Sequence, residues 1–407
     1  MSSAPTVVYL HIGLHKTGTT YLQNVFRANQ RSLAQRGVCY PDASGPMTHT
    51  LAAWDLHGVR PRGTGDKRIG GSWDSLADAV NTSGMPTALI SAERLSLSTL
   101  RQARKALDGF PASEVHVIVT VRDLARVLVS SWQETIKNGA TWTWQEFADG
   151  VKDKDRSATN PARSFWLQHD VVKICRNWET VIPTDRLHVV TVPPSGASPD
   201  DLLARFGRVV GFDPATLTEP PVWTNETVGA VATEAIRRVN ERLGDKLNKR
   251  QHAHVVKTGL VRVLAERTEA TRFVLPEEEL PWLAQRSDQM VAALLARGYP
   301  VGGDLDELRV MDARPGRRPD SVSDAELVEV AFDALGWLTE LHANLWWRHR
   351  KADVETVPGG GGVASKARSA LFKSQRMGAR LADRNALAAK ALAAVLRGRD
   401  RARSKAK

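Results

Sequence analysis

Val7-Val8-Tyr9-Leu10-His11-Ile12 is apolar at every position but one, is strand-length, and ends at Gly13. Such a run predicts a strand buried on both faces. From Thr19 to Arg36 the pattern turns helical, with Leu22, Val25, Phe26 and Leu33 close to one face and Gly37 as the stop. The alternation continues. Strands are predicted at Val38 to Tyr40, Ala88 to Ser91, Val115 to Val121 and Leu187 to Val192. Helices are predicted at Leu95 to Leu107, Leu124 to Lys137, Phe165 to Thr180 and Asp200 to Val210. Strands alternating with helices argue for an α/β fold, a mostly parallel sheet flanked by helices. Residues 41–87, rich in Gly, Pro, Asp and Thr, read as a loop over one face.

Beyond Pro221 the signals are mainly helical, at Val228 to Leu243, Val255 to Glu269, Leu283 to Arg297 and Ala325 to His349. They predict a C-terminal helical cap on the sheet. The expected organisation is therefore an α/β core over 1–220, a cap over 221–350, a Gly-rich linker over 351–363 and a basic amphipathic tail over 364–407. The tail changes the meaning of the net charge. From Val363 to Lys407 thirteen Lys and Arg face two Asp, which accounts for the whole formal +11, so the body is neutral. Two cysteines, Cys39 and Cys175, are too few for a disulfide framework or a Cys-type metal site and read as small core residues. No window reaches the roughly 20 apolar residues that cross a bilayer, and the first residues carry no export pattern. The chain is expected to be soluble and cytoplasmic.

The chemistry begins where the first strand meets the first helix, in His11-Ile12-Gly13-Leu14-His15-Lys16-Thr17-Gly18-Thr19-Thr20. Gly13 and Gly18 let the backbone approach an anion, the following helix presents unpaired N–H groups, and His15, Lys16, Thr17, Thr19 and Thr20 add polar groups. This is a phosphate cradle. It departs from the Walker A order because Thr19 stands where that motif has its lysine, and the lysine comes earlier, at Lys16. A strand followed by Lys-Thr-Gly-Thr-Thr and a helix resembles the phosphosulfate-binding loop of the sulfotransferases, whose fold is P-loop-like and whose donor is 3′-phosphoadenosine 5′-phosphosulfate (PAPS). In that family an Arg leaving a strand and a Ser eight residues later hold the donor's 3′-phosphate. Arg122 and Ser130 reproduce the spacing, although Leu124 replaces the Pro that often follows the Arg-Asp pair.

The resemblance implies a sulfuryl transfer by in-line displacement to a hydroxyl or amine, with PAPS as co-substrate and no obligatory metal. Ala88-Leu89-Ile90-Ser91-Ala92-Glu93-Arg94 puts a carboxylate at a strand end and looks like the strand-end Glu-Lys pair of the heparan-type members, which makes Glu93 the expected base. His49 and His57 are the alternatives as base or acceptor contact. Lys16 is expected to stabilise the bridging oxygen as it gains charge. For the family's late glycine-rich basic loop, Lys257-Thr258-Gly259 and Pro315-Gly316-Arg317-Arg318 are weak candidates, and the adenine contacts are unassigned. The competing readings are a P-loop-type nucleotide kinase or phosphotransferase and a non-catalytic nucleotide binder. The acceptor stays open among glycan, lipid and small metabolite. The tail reads first as solvated, then as a candidate for peripheral contact with an anionic inner-membrane surface; no nucleic-acid-binding motif accompanies it.

Overall fold

The computed structural model describes residues 6–355 apart from 43–44, 46, 61–65, 222–227, 266–272, 310–315 and 320. Of the linker expected over 351–363, residues 351–355 belong to the last helix of the fold, and the rest of it and the basic tail lie outside the described residues. The first half of the chain runs β1 (Val7–Gly13), α1 (Thr19–Ala28), α2 (Gln30–Gln35), β2 (Val38–Cys39), α3 (Thr48–Leu56), α4 (Ser72–Asn81), β3 (Thr87–Ser91), α5 (Leu100–Asp108), β4 (Glu114–Val121) and α6 (Leu124–Lys137). Next come α7 (Trp144–Lys152), α8 (Asn160–His169), α9 (Val171–Glu179), β5 (Leu187–Thr191), α10 (Pro199–Val210) and α11 (Ala230–Leu243). The last third holds α12 (Lys249–His252), a π-helix (Ala253–Leu260), α13 (Val261–Ala265), α14 (Leu280–Leu295), β6 (Val301–Gly302) and α15 (Asp324–Glu355).

Among the described residues all strands pair in parallel in one six-stranded sheet of order β2-β3-β1-β4-β5-β6. From β1 the chain goes first to the edge strand β2, returns to place β3 between β2 and β1, then crosses to build β4, β5 and β6 outward on the other side. The carboxyl end of β1 therefore opens at the switch point where open α/β sheets bind ligands. Successive strand residues face opposite sides. Leu89, Ile118 and Val190 pack with Leu22, Phe26, Leu33, Leu202 and Phe206 from α1, α2 and α10. Their buried neighbours Ile90, Val117, Val119 and Val189 face the opposite layer, where α9 meets β4 and β5. Each large side chain so buried contributes roughly 1.5–3 kcal/mol, so the apolar runs dictate a sandwich of helices around the sheet.

The predicted strands are present within a residue or two, while several helices differ for local reasons. The helix expected over Thr19 to Arg36 breaks at Asn29, whose buried amide donates to Val25 O at 2.9 Å and Glu219 O at 2.8 Å and accepts from Glu219 N at 2.9 Å. The helix expected over Phe165 to Thr180 breaks at Asp170, whose carboxylate accepts from Lys173 N and caps α9. The helix expected from Leu95 begins as a 3-10 turn, Glu93–Leu97, and restarts at a Thr99–Gln102 capping box. Residues 41–87 are corrected outright: they carry α3 and α4, not only loop. The two-residue β6, unforeseen within the stretch read as a helical cap, completes the sheet beside β5, where Gly302 lets Val190 approach.

Met1–Ala334 forms one compact unit. In the second unit, Leu335–Lys407, the described residues are the latter part of α15, which exposes Leu335, Leu338, Leu345, Trp346 and Trp347. Among the described residues no helix is long and apolar enough to cross a membrane.

Candidate active site

The loop between β1 and α1 is wound around one carbonyl. Gly13 (φ 85°), Lys16 (φ 64°) and Gly18 (φ 84°) all take the left-handed conformation, and Lys16 is the one non-glycine residue among those described to do so. Strain of this kind, about 1–3 kcal/mol, persists where surrounding contacts enforce it. Here the hydroxyls of Thr17 and Thr19 donate to Leu14 O at 2.6 and 3.1 Å, and Leu14 N donates to Thr120 O at 2.9 Å. Two hydroxyls expected to face a ligand are thus turned inward, with Thr17 1% and Thr19 2% exposed. Thr20, half-buried, has no side-chain partner among the described residues. The cradle's donors are then backbone N–H groups of the first helical turn, since the first helical bond is Leu22 N to Gly18 O at 3.1 Å.

A buried relay holds the loop from beneath. Thr17 Oγ1 donates to Leu14 O, so it accepts from Thr120 Oγ1 at 2.7 Å; Thr120 accepts from His11 Nε2 at 3.1 Å. His11 Nδ1 then accepts from Ser91 Oγ at 2.8 Å, and Ser91 Oγ accepts from Gln23 Nε2 at 3.3 Å. Every proton is assigned by its neighbour, which makes His11 the Nε2–H tautomer. Burial pushes its pKa down to about 3, so it stays neutral.

Lys16 Nζ does not stand free: it meets Glu134 Oε2 of α6 at 3.2 Å. Lys257 Nζ, from the π-helix, donates to Glu134 Oε1 at 2.8 Å and to Asn138 Oδ1 at 2.7 Å. One carboxylate thus sits between two ammonium groups. Burial would raise its pKa, yet Lys16 and Lys257 outweigh burial and bring it down to about 2. The sequence reading missed Glu134 and held Lys257 only as a weak candidate. Its rival stretch is committed elsewhere, with Arg317 on Glu326 and Arg318 on Glu278. Pro315 lies outside the described residues.

Arg122 leaves the end of β4 and donates from Nη1 to Lys16 O at 3.3 Å, which joins it to the loop. Its Nε is buried without a partner, and burial, then Arg126, lowers its pKa to about 10, partly opposed by Asp123. Asp123 itself caps α6, accepting from Arg126 N at 2.9 Å and pairing with the Arg126 guanidinium. Ser130 lies on α6, partly buried, where its hydroxyl donates to Val127 O at 3.1 Å and keeps lone pairs only for a further donor. To serve a phosphate it must turn away from its own helix.

Glu93 opens the 3-10 turn after β3, with its side chain 41% exposed and 3.8 Å from His15 Nε2. Gly13 makes room for it: a Cβ there would stand 2.9 Å from Glu93 Cβ. His15 has its pKa lowered, by burial first, with Glu93 opposing and Arg94 and Lys16 adding to the fall. His49 is corrected as a base or acceptor contact. Its Nδ1 accepts from Ser91 N at 3.1 Å and its Nε2 donates to Pro41 O at 2.6 Å, so both nitrogens hold backbone, and burial lowers its pKa to about 4. His57 bonds Ser98 Oγ at 2.9 Å at the end of α3.

No protein-family model and no curated protein matches the chain. Among solved structures, a sulfotransferase from Alicyclobacillus acidocaldarius is similar over 58% of this chain and 94% of its own, at 14% identity and a TM-score of 0.35. The sulfotransferase domain from the curacin biosynthetic pathway is similar over 57% and 83%, at 10% identity and a TM-score of 0.29. At such values the function has to be carried by the chain's own residues.

Three buried donors of the loop and its neighbours are open to a ligand. His15 Nδ1, Arg94 Nε and Arg122 Nε are buried without partners around the loop, and native proteins rarely leave such groups unsatisfied. A phosphate-bearing ligand would meet N–H groups at the start of α1, an ammonium at Lys16 and a guanidinium at Arg122, with the Glu93 carboxylate at the rim.

Proposed function

We propose that the chain is a PAPS-dependent sulfotransferase acting on a hydroxyl or amine by in-line displacement. The observation that carries this is the tie between Arg122 and the Lys16 carbonyl, which unites the strand-loop-helix cradle with the Arg-and-Ser pair on β4 and α6. A nucleotide with phosphates at both ends fits two such anion sites better than one with a single chain of phosphates. The capping role of Asp123 supports the same choice over a kinase, because that carboxylate is occupied at the strand end where a kinase would use an acid for its metal.

On this reading the α1 N-terminus and Lys16 hold the 5′-phosphosulfate, and Arg122 holds the 3′-phosphate, with Ser130 turned toward it. When sulfuryl passes from the bridging oxygen to the acceptor, that oxygen gains negative charge beside Lys16. The acceptor's proton goes to Glu93, and 3′-phosphoadenosine 5′-phosphate leaves. Lys257 reaches the same carboxylate as Lys16 and supplies a second cation to the leaving nucleotide. The basic tail, if it meets an anionic surface, would serve a membrane-borne acceptor.

The test is calorimetric binding of 3′-phosphoadenosine 5′-phosphate against ATP and AMP. Tight binding that requires the 3′-phosphate and weakens at least about tenfold in Lys16→Ala and in Arg122→Ala, as for loss of one charged hydrogen bond, is expected; equal or tighter binding of ATP would move the chain to the kinases. With a working acceptor, Glu93→Gln should keep nucleotide affinity and lose about 100-fold or more in kcat. Turnover unchanged in that variant would remove Glu93 as the base.

A further inference from the structure

Beside the donor groove lies a second cavity, a cleft of about 410 Å³ between the start of α9 and α14. Its volume is within the range of roughly 300–1,000 Å³ typical of ligand sites. Four cations line it, Arg156, Lys173, Arg176 and Arg286, against one carboxylate, Asp170. Asp170 is already paired with Arg156, while Lys173 and Arg176 are exposed and have no acidic partner among the described residues. Arg156 and Arg286 are held in place by Trp166, with guanidinium carbons 4.1 and 5.0 Å from its ring centre. Such stacking orients both flat donors, of which Arg156 already shares its charge with Asp170 while Arg286 faces the cleft with Lys173 and Arg176.

A second observation points to a ligand. His169, only 4% exposed, lines this cleft, and its Nδ1 is buried without a partner while Nε2 meets Ser131 Oγ at 2.9 Å. The cleft shares His169, Leu124, Val171 and Met290 with a small cavity that reaches Thr17 and Arg122. It therefore adjoins the donor groove, while Lys16, Arg122 and Ser130 do not line it.

We propose that this cleft is a binding site for a polyanion, a ligand bearing two or more phosphate, sulfate or carboxylate groups. Resting on the sulfotransferase reading, that ligand is the acceptor, which makes the acceptor acidic: a charged glycan or an anionic ester rather than a neutral phenol or alcohol.

Inorganic pyrophosphate is the probe, titrated into the full chain carrying Lys16→Ala so that the cradle is weakened. Binding is expected to persist there and to fall at least about tenfold when Lys173→Ala and Arg176→Ala are added, as for loss of two charged contacts. Both positions are exposed, so the fold is not endangered. In an otherwise unaltered chain the same pair should leave 3′-phosphoadenosine 5′-phosphate affinity within about twofold. Pyrophosphate binding that is absent in Lys16→Ala, or indifferent to the added pair, would overturn the cleft. Loss that follows the pair in a chain that never binds the nucleotide would keep the cleft and discard the sulfotransferase reading, so the two failures are distinguishable.

Discussion

Glu134 has two Lys neighbours and no motif to announce it. It reaches Lys16 and Lys257 across 118 and 123 positions of chain, and a pairing of that separation leaves no local pattern to read. In the absence of a nucleotide its carboxylate screens the cations that a phosphate would need. Glu134→Gln should therefore raise affinity for 3′-phosphoadenosine 5′-phosphate by about tenfold, near 1.4 kcal/mol, with a steeper dependence on salt because both ammonium groups are uncovered. Calorimetry at two ionic strengths reads both effects, and weaker binding would mean that Glu134 orients Lys16 rather than competes with the anion. Gly13 and Gly18 were legible as turn residues because a left-handed turn between strand and helix favours glycine, whereas Lys16 and Arg122 took their roles only from the resemblance to the sulfotransferases. The inward rotation of Thr17 and Thr19 was not legible, since a threonine in a glycine loop can face either way and only the Leu14 carbonyl decides.

At the scale of elements, β1 and the 3-10 turn after β3 are fitted together by an absence of side chain. At Gly13 an added Cβ would stand 2.9 Å from Glu93 Cβ and 3.0 Å from Glu93 Cα, at φ 85°. Gly13→Ala is thus expected to cost about 1–3 kcal/mol of stability, read as a lower denaturant midpoint, and to push the Glu93 turn away from the loop. A variant as stable as the parent would show that the two segments can slide apart freely. The strands were readable because sheets buried on both faces need continuous apolar runs. The helix breaks were not, because Asn29 and Asp170 read as ordinary helix positions until Glu219 and the Lys173 backbone claim their side chains. The two-residue β6 carries too short a run for any periodicity to register.

Across the whole molecule, five histidines are held below their ordinary value by burial. Burial brings His11 and His169 to about 3, and His49, His57 and His188 to about 4, from the ordinary value of 6.5. His11 and His49 show why: each spends both ring nitrogens on fixed partners, and a second ring proton would face a donor. Below 6.5 the unfolded chain binds protons that the folded chain refuses, so stability is whole above that pH and falls as pH drops toward 4 and 3. Each such histidine removes on the order of 1.4 kcal/mol per pH unit in that window, and less at the half-buried His57 and His188, where solvent screens the charge. Set against a typical total of about 5–15 kcal/mol, the group removes a large share of the chain's stability by pH 4. The paired Glu134 adds its own loss only below the unfolded carboxylate value of 4.5, as pH falls toward 2. Thermal melts followed by circular dichroism between pH 7.5 and 4 should show Tm falling steeply from near 6.5, and His49→Gln should flatten the slope by the share of one proton. A Tm constant down to pH 4.5 would mean that these rings can take a proton within the fold, and the relay beneath the cradle would then have to be rigid for some other reason than neutrality.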